Sequence, residues 1–116
     1  MIFSTGPPTG APTNLTTEII SLTTVQVSWN FIPDFFDGGL GVIGYWVYYY
    51  IKGAGTEGLE QQKKDVQDNS TKLFNLKLNA TYCISVVGYN EAGEGPRSEC
   101  TDLHTPAGKV FFRIIS

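Results

Sequence analysis

Two cysteines, Cys83 and Cys100, have the plainest chemistry in this chain of 116 residues. An even pair in a small domain indicates either one disulfide bond or two buried thiols, and the count alone leaves both open. The single histidine, His104, stands two positions from Asp102. A catalytic dyad there would need a well-placed nucleophile and an oxyanion loop, and the sequence shows neither. We therefore interpret both residues as the polar face of a strand.

Metal, phosphate and cofactor chemistry lack the residue spacings that they need. The chain has no CxxC pair, no HExxH motif and no glycine-rich phosphate loop. Asp34 and Asp37 could offer carboxylates to a calcium ion, but too few oxygen ligands accompany them, and turn chemistry explains both. We expect no cofactor, no metal site and no enzymatic activity.

Three Asn-x-Ser/Thr triplets begin at Asn14, Asn69 and Asn79. Each is an acceptor for N-glycosylation if the chain enters the secretory pathway. Three such triplets in so short a chain, all predicted at strand edges or turns, favour an extracellular or cell-surface location. Oxidising surroundings in turn favour a disulfide bond over free thiols.

The overall charge argues against nucleic-acid binding, because the net charge is −3 and no basic stripe occurs. The longest apolar run, around Trp46, covers about one strand, so direct membrane insertion is not expected. The first ten residues lack the cationic and apolar regions of a signal peptide, and we expect a fragment of a longer protein. The expected partners are another protein and neighbouring domains of the same chain.

Period-two alternation between turn clusters, with no sustained helical periodicity, predicts an all-β fold. The segment "IPDFFDGGLGV" and the segment "NEAGEGPR" have the composition of loops. The predicted strands are residues 12–20, 24–29, 43–51, 59–66, 71–76, 81–89 and 98–105. Seven short strands with a turn every ten or so residues indicate a sandwich of two packed sheets.

The chain from Pro12 to Pro106 resembles a fibronectin type III domain. The resemblance rests on Trp29 at the end of the second strand, on "GYWVYY" in the third, on Leu76 six residues before Tyr82, and on "YCISVVGYNEAGEGPRS". It implies a seven-stranded immunoglobulin-like sandwich over residues 12–106, with residues 1–11 and 107–116 as extensions or linkers. The sequence departs from the family at Leu78 and Ala80, where the family commonly has proline and threonine.

The predicted core follows from strand parity and from the resemblance. Trp29 fills the centre between the sheets, and Tyr82 supplies a tyrosine corner packed near Leu76. On the third strand the alternation turns Tyr45, Val47 and Tyr49 inward. The predicted structural core is Trp29, Tyr45, Val47, Leu76 and Tyr82.

The same parity places both cysteines on one outer face. Cys83 lies between the inward Tyr82 and Ile84, and Cys100 lies outward on the neighbouring final strand. The predicted register sets Cys83 directly opposite Cys100 and Val87 opposite Pro96, which makes a disulfide bond a cross-strand staple. The alternative is a pair of outward-facing thiols, which a soluble domain normally avoids.

Two surfaces are candidates for binding. Phe35 and Phe36 sit in the long loop, where exposed rings could anchor a partner unless one folds back over the core. Trp46, Tyr48 and Tyr50 form the outward set of the third strand, either as an interface patch or as cross-strand packing beside the disulfide.

The resemblance implies a non-catalytic extracellular protein-binding or spacer module from a multidomain cell-surface receptor or adhesion protein. The alternative function is an accessory domain of a secreted enzyme such as a polysaccharide hydrolase.

Overall fold

A computed structural model describes residues 4–53 and 61–108. Within these ranges it contains eight β-strands and one short 3-10 helix, Asp34–Phe36. The strands are β1 Thr13–Ser21, β2 Thr24–Asn30, β3 Gly44–Ile51, β4 Gln62–Val66, β5 Ser70–Leu73, β6 Thr81–Asn90, β7 Gly93–Arg97 and β8 Thr101–His104. The start of the predicted strand 59–66 and most of the predicted extension 107–116 lie outside the described residues.

The strands form two antiparallel sheets, which confirms the predicted all-β sandwich. The first sheet has the order β1-β2-β5, and the second has the order β4-β3-β6-β7 with β8 also paired to β6. β7 and β8 therefore follow one another along the same edge of β6. The predicted count of seven strands was too low, because residues 93–97 were assigned to a loop and instead pair with β6. Gly93 has a φ of 133°, which allows the chain to reverse immediately after β6.

The core lies between the sheets and follows the alternation of the sequence. Val25, Val27 and Trp29 of β2 are all buried, while the residues between them are partly exposed. The Trp29 and Tyr45 rings pack with their centroids 5.6 Å apart. The buried cluster also contains Val47, Tyr49, Leu76, Tyr82, Ile84, Val86 and Leu103.

A hydrogen-bonded corner connects the two sheets ahead of β6. The Tyr82 hydroxyl accepts a hydrogen bond from the backbone N–H of Lys77 at 2.8 Å. The Thr105 hydroxyl donates to the Lys77 carbonyl at 2.6 Å and accepts from the Ala80 N–H at 2.9 Å. The corner is therefore closed by side chains on β6 and after β8, although Leu78 and Ala80 replace the family's usual residues.

The structure joins Cys83 and Cys100 in a disulfide bond with their Cα atoms 5.5 Å apart, but the predicted register was wrong. Cys83 lies opposite Asp102, and Val87 lies opposite Arg97. Val87 pairs with Arg97, and Ile84 pairs with Thr101. Between these two pairs β6 covers three residue steps, whereas the opposite segment covers four. This extra residue interrupts the last strand and, together with the register shift between Val87 and Tyr89, places Cys100 diagonally from Cys83.

Candidate protein-binding surfaces

The long loop between β2 and β3 is folded by its own turn residues. The Phe36 N–H donates to the Pro33 carbonyl, which closes the 3-10 turn. The Asp37 carboxylate accepts from the Gly39 N–H at 2.7 Å, and Gly38 and Gly39 both have positive φ. Asp37 therefore acts as a turn residue, as its sequence context predicts.

The N-terminal segment, residues 4–11, lies along this loop. Backbone hydrogen bonds run from Gly6 N–H to the Gly38 carbonyl at 3.0 Å and from Thr9 N–H to the Phe36 carbonyl at 2.9 Å. These bonds hold both the turn and the backbone that carries the phenylalanines. We call the N-terminal segment, residues 31–43 and the β6–β7 turn the loop pole.

One buried amide connects the three parts of the loop pole. The Asn90 Nδ2 donates to the carbonyls of Gly6 at 2.9 Å and Asp37 at 3.0 Å. Its Oδ1 accepts from the Ala92 N–H at 2.8 Å. Because Asn90 is buried and these bonds reach three segments, its side chain fixes the position of the long loop.

Phe35 is the most exposed large apolar residue of the described chain, at 88%, and Phe36 is 43% exposed. Their rings meet edge to face with centroids 5.1 Å apart. Neither ring enters the core; Phe36 instead packs close to Gly10 of the N-terminal segment.

Sequence reasoning missed Phe31, which is 55% exposed and extends the aromatic surface of the loop pole. It directly follows β2, where alternation after the inward Trp29 and the outward Asn30 would turn Phe31 inward, so the sequence gave no signal of its exposure. Phe31, Pro33 and Phe36 line a shallow apolar hollow of ≈ 410 Å³ together with Ala11. The loop pole therefore offers protruding rings beside an apolar depression.

The outer face of β3 is largely covered. Tyr48 is only 8% exposed, because the Arg97 guanidinium carbon lies 3.9 Å from its ring centroid. Its hydroxyl donates to the Glu94 carboxylate at 2.8 Å. Burial first, and the Glu94 hydrogen bond second, raise the pKa of Tyr48 above its ordinary value.

The neighbouring rings are capped in the same way. The Lys63 ammonium lies 4.1 Å from the Trp46 ring centroid, and the Trp46 and Tyr89 rings pack 5.7 Å apart. Trp46 and Tyr50 are half-buried. Arg97 and Lys63 thus cover the ring of Tyr48 and one face of the Trp46 ring.

The outward-facing residues of β6 beside these rings are buried as well. Cys83, Ser85 and Val87 point outward from β6, yet all three are buried. The alternation predicted their outward face but not their burial, because residues 93–97, which pair with β6, were assigned to a loop.

The three glycosylation triplets have different surroundings. Asn14 and Asn79 are exposed, whereas Asn69 is half-buried. Asn14 and Asn79 both have positive φ.

The structure separates His104 from Asp102. His104 Nδ1 lies 2.8 Å from the Thr81 hydroxyl, while Asp102 forms an ion pair with Lys52 at 2.9 Å.

Across residues 4–53 and 61–108 no group of three or more His, Cys, Asp or Glu side chains could hold a metal ion. The same ranges contain no helix with the length and apolar character needed to cross a membrane.

A two-sheet sandwich with a tyrosine corner and an aromatic loop pole defines an immunoglobulin-like β-sandwich domain. The family model "Fibronectin type III domain" matches residues 10–103. The chain belongs to the fibronectin type III family.

Known relatives agree with this membership. Human Contactin-3 is 35% identical over 98 residues, covering 84% of this chain and 9% of the relative. Chicken Protein sidekick-2 is 30% identical over 91 residues, covering 78% of this chain and 4% of the relative. The crystal structure of chicken CNTN1 FN1-FN3 domains matches with a TM-score of 0.75 and 34% identity, covering 86% of this chain and 32% of that one.

The chain spans less than a tenth of the length of these curated relatives. Contactins and sidekick proteins are cell-surface proteins, which supports the predicted ectodomain location. The fibronectin type III domains of contactins are non-catalytic adhesion modules.

Proposed function

We propose that this domain is a non-catalytic extracellular module of a multidomain cell-surface adhesion protein or receptor, and that it binds another protein through its loop pole. The observation that carries the proposal is the 88% exposure of Phe35 on a loop held by hydrogen bonds. A protruding ring on a fixed backbone supplies anchor area at low entropic cost.

The loop pole is prepared for binding because its backbone is already ordered. The Asn90 amide and the backbone bonds from Gly6 and Thr9 hold the turn that carries the phenylalanines. Little conformational entropy is therefore left to lose when a partner docks.

The charge around the rings indicates the kind of partner. Asp34 and Asp37 flank the phenylalanine pair, and the whole chain carries a net charge of −3. A complementary surface would combine an apolar pocket for Phe35 with a rim of lysine or arginine.

The outer face of β3 is the weaker candidate. Tyr48 lies beneath Arg97, and Lys63 lies over Trp46. A partner would have to displace these cations before it could reach the rings. The loop pole needs no such rearrangement.

The relationship to contactins and sidekick proteins supports an adhesion protein over an accessory domain of a secreted polysaccharide hydrolase. No residue arrangement in the described chain favours the enzyme-associated alternative.

The test is binding of the disulfide-bonded domain to an array of cell-surface ectodomains, read by surface plasmon resonance. The variant Phe35→Ser/Phe36→Ser should lose at least about tenfold in affinity, equivalent to roughly 1.4 kcal/mol or more. Its free energy of unfolding should fall by no more than about 1 kcal/mol, because both rings lie outside the core.

The matched control is Phe74→Ser, which removes a phenylalanine that is 56% exposed beyond the end of β5. β5 pairs with the start of β2, so Phe74 is remote from the loop pole. Equal affinity loss in the control and the double variant would disprove the assignment to the loop pole. Absence of any captured ectodomain would instead indicate a spacer without a ligand.

A further inference from the structure

The three glycosylation triplets use their asparagine side chains differently in the folded domain. We infer that Asn14 and Asn79 carry N-linked glycans and that Asn69 remains unmodified. The inference rests on the extracellular location in the proposed function, but not on the identity of any protein partner.

Asn79 presents its amide nitrogen for modification. Its Oδ1 lies 3.2 Å from His104 Nε2, and the Thr81 hydroxyl of the same triplet lies 2.8 Å from His104 Nδ1. With a neutral imidazole, Nε2–H donates to Asn79 and Nδ1 accepts from Thr81. The imidazole is thus hydrogen-bonded to the amide oxygen of Asn79. No described residue accepts a hydrogen bond from Asn79 Nδ2.

The backbone at Asn79 is also compatible with a bulky outward group. Its φ is 52°, and its N–H donates to the Pro106 carbonyl at 2.8 Å. The side chain is exposed on the turn before β6. A sugar attached there extends into solvent without breaking a bond of the corner.

Asn14 lies on an edge strand, across a cavity from residues 98–101. β1 pairs with β2 alone among the described strands, and its register is irregular between Thr13 and Thr16. Asn14 has a φ of 59° within this irregular stretch, and its side chain is exposed. A glycan there would shield part of an unpaired edge that could otherwise pair with another chain.

Asn69 is instead hydrogen-bonded inside the sandwich through its side chain. Its Nδ2 donates to the Trp29 carbonyl at 3.0 Å, and its own carbonyl accepts from the Trp29 N–H at 3.0 Å. These bonds continue the ladder between β2 and β5 at the central core tryptophan. A glycan on this half-buried nitrogen would crowd that ladder and weaken one of its bonds.

The experiment is secretion of the whole chain from mammalian cells behind a signal sequence, followed by peptide-N-glycosidase F in ¹⁸O-water and peptide mass spectrometry. Routing every molecule through the secretory pathway tests site choice independently of native location. We expect conversion of asparagine to labelled aspartate at Asn14 and Asn79, and none at Asn69 above the untreated background.

Three single variants make the assignment independent of peptide coverage. Asn14→Gln and Asn79→Gln should each remove one glycan from the intact mass, whereas Asn69→Gln should remove none. If Asn69→Gln fails to fold, Thr71→Ala destroys the same triplet and keeps the Asn69 hydrogen bonds.

Substantial occupancy at Asn69 in the secreted, folded protein would overturn the inference, as would an unmodified Asn14 or Asn79. Either result leaves the ectodomain-binding test untouched, because that test depends on Phe35 and Phe36. Conversely, failure to bind any ectodomain would not alter the glycan map.

Discussion

The Arg97 guanidinium covers the Tyr48 ring, with its central carbon 3.9 Å from the ring centroid. Tyr48 also donates a hydrogen bond to Glu94, which lies on the same strand as Arg97. Side chains of β7 therefore reach across β6 and cover part of the outer face of β3. This contact explains why an outward-facing tyrosine is as buried as a core residue.

Arg97→Ala should lower the free energy of unfolding by about 1 kcal/mol, because it removes a cation–π contact at a largely desolvated ring. Urea unfolding of Arg97→Ala, Tyr48→Leu and the double variant would measure the coupling energy. Additive losses within about 0.3 kcal/mol would show that the two side chains do not stabilise each other.

Asn90→Ala should lower the free energy of unfolding by about 1–3 kcal/mol, because it removes a buried amide and leaves the partly buried Gly6 and Asp37 carbonyls without their donor. Amide hydrogen exchange should also accelerate at Gly6 and Thr9, whose N–H groups bond to the long loop. Asn90→Asp keeps the shape and the acceptor for the Ala92 N–H but sets a carboxylate against two carbonyl oxygens, so it should destabilise the domain at least as much as alanine does. Unchanged exchange at both amides would mean that Asn90 does not hold the loop pole together.

Replacement of both Cys83 and Cys100 by alanine should cost about 3 kcal/mol of unfolding free energy, since the bond closes a short loop in the unfolded chain. Reduction of the unaltered protein with dithiothreitol should give a similar loss. A thiol titration of the oxidised, unfolded protein should find no free cysteine. One or more reactive thiols would contradict the bond.

The domain should lose stability in alkaline solution. Burial raises the pKa values of Tyr45 and Tyr49 above the ordinary 10.0, so the folded state keeps protons that the unfolded state releases. The stabilisation is complete below about pH 10 and disappears as the pH rises through the folded pKa values. Urea unfolding across about pH 8 to 11 checks this slope, and Tyr49→Phe should make it shallower. A flat profile in the unaltered protein would be inconsistent with buried neutral tyrosines.

The sequence predicted the sandwich and the inner face of its strands because alternation is a local property. Side chains at successive strand positions point to opposite faces, so Val25, Val27 and Trp29 identify their own burial. The same local rule placed Tyr48 and Cys83 outward. It could not state whether the outer face is open to solvent.

Exposure of the candidate sites depended on contacts between distant segments. Arg97 covers Tyr48 only because residues predicted as a loop form β7 beside β6, and one extra residue before β8 sets the register around Cys100. Phe35 remains exposed because the long loop is held by Asn90 and the N-terminal segment instead of folding onto the core.

The sequence by itself therefore determined the fold family and the inward and outward faces of the regular strands β2, β3 and β6, because these follow from periodicity and residue type. Tertiary structure decided which outward aromatic rings are covered and, within residues 4–53 and 61–108, which of the glycosylation-triplet asparagines uses its amide nitrogen in a hydrogen bond. Those outcomes depend on strand register and on side chains that meet across the sheet, and neither is encoded in the alternation of a single strand.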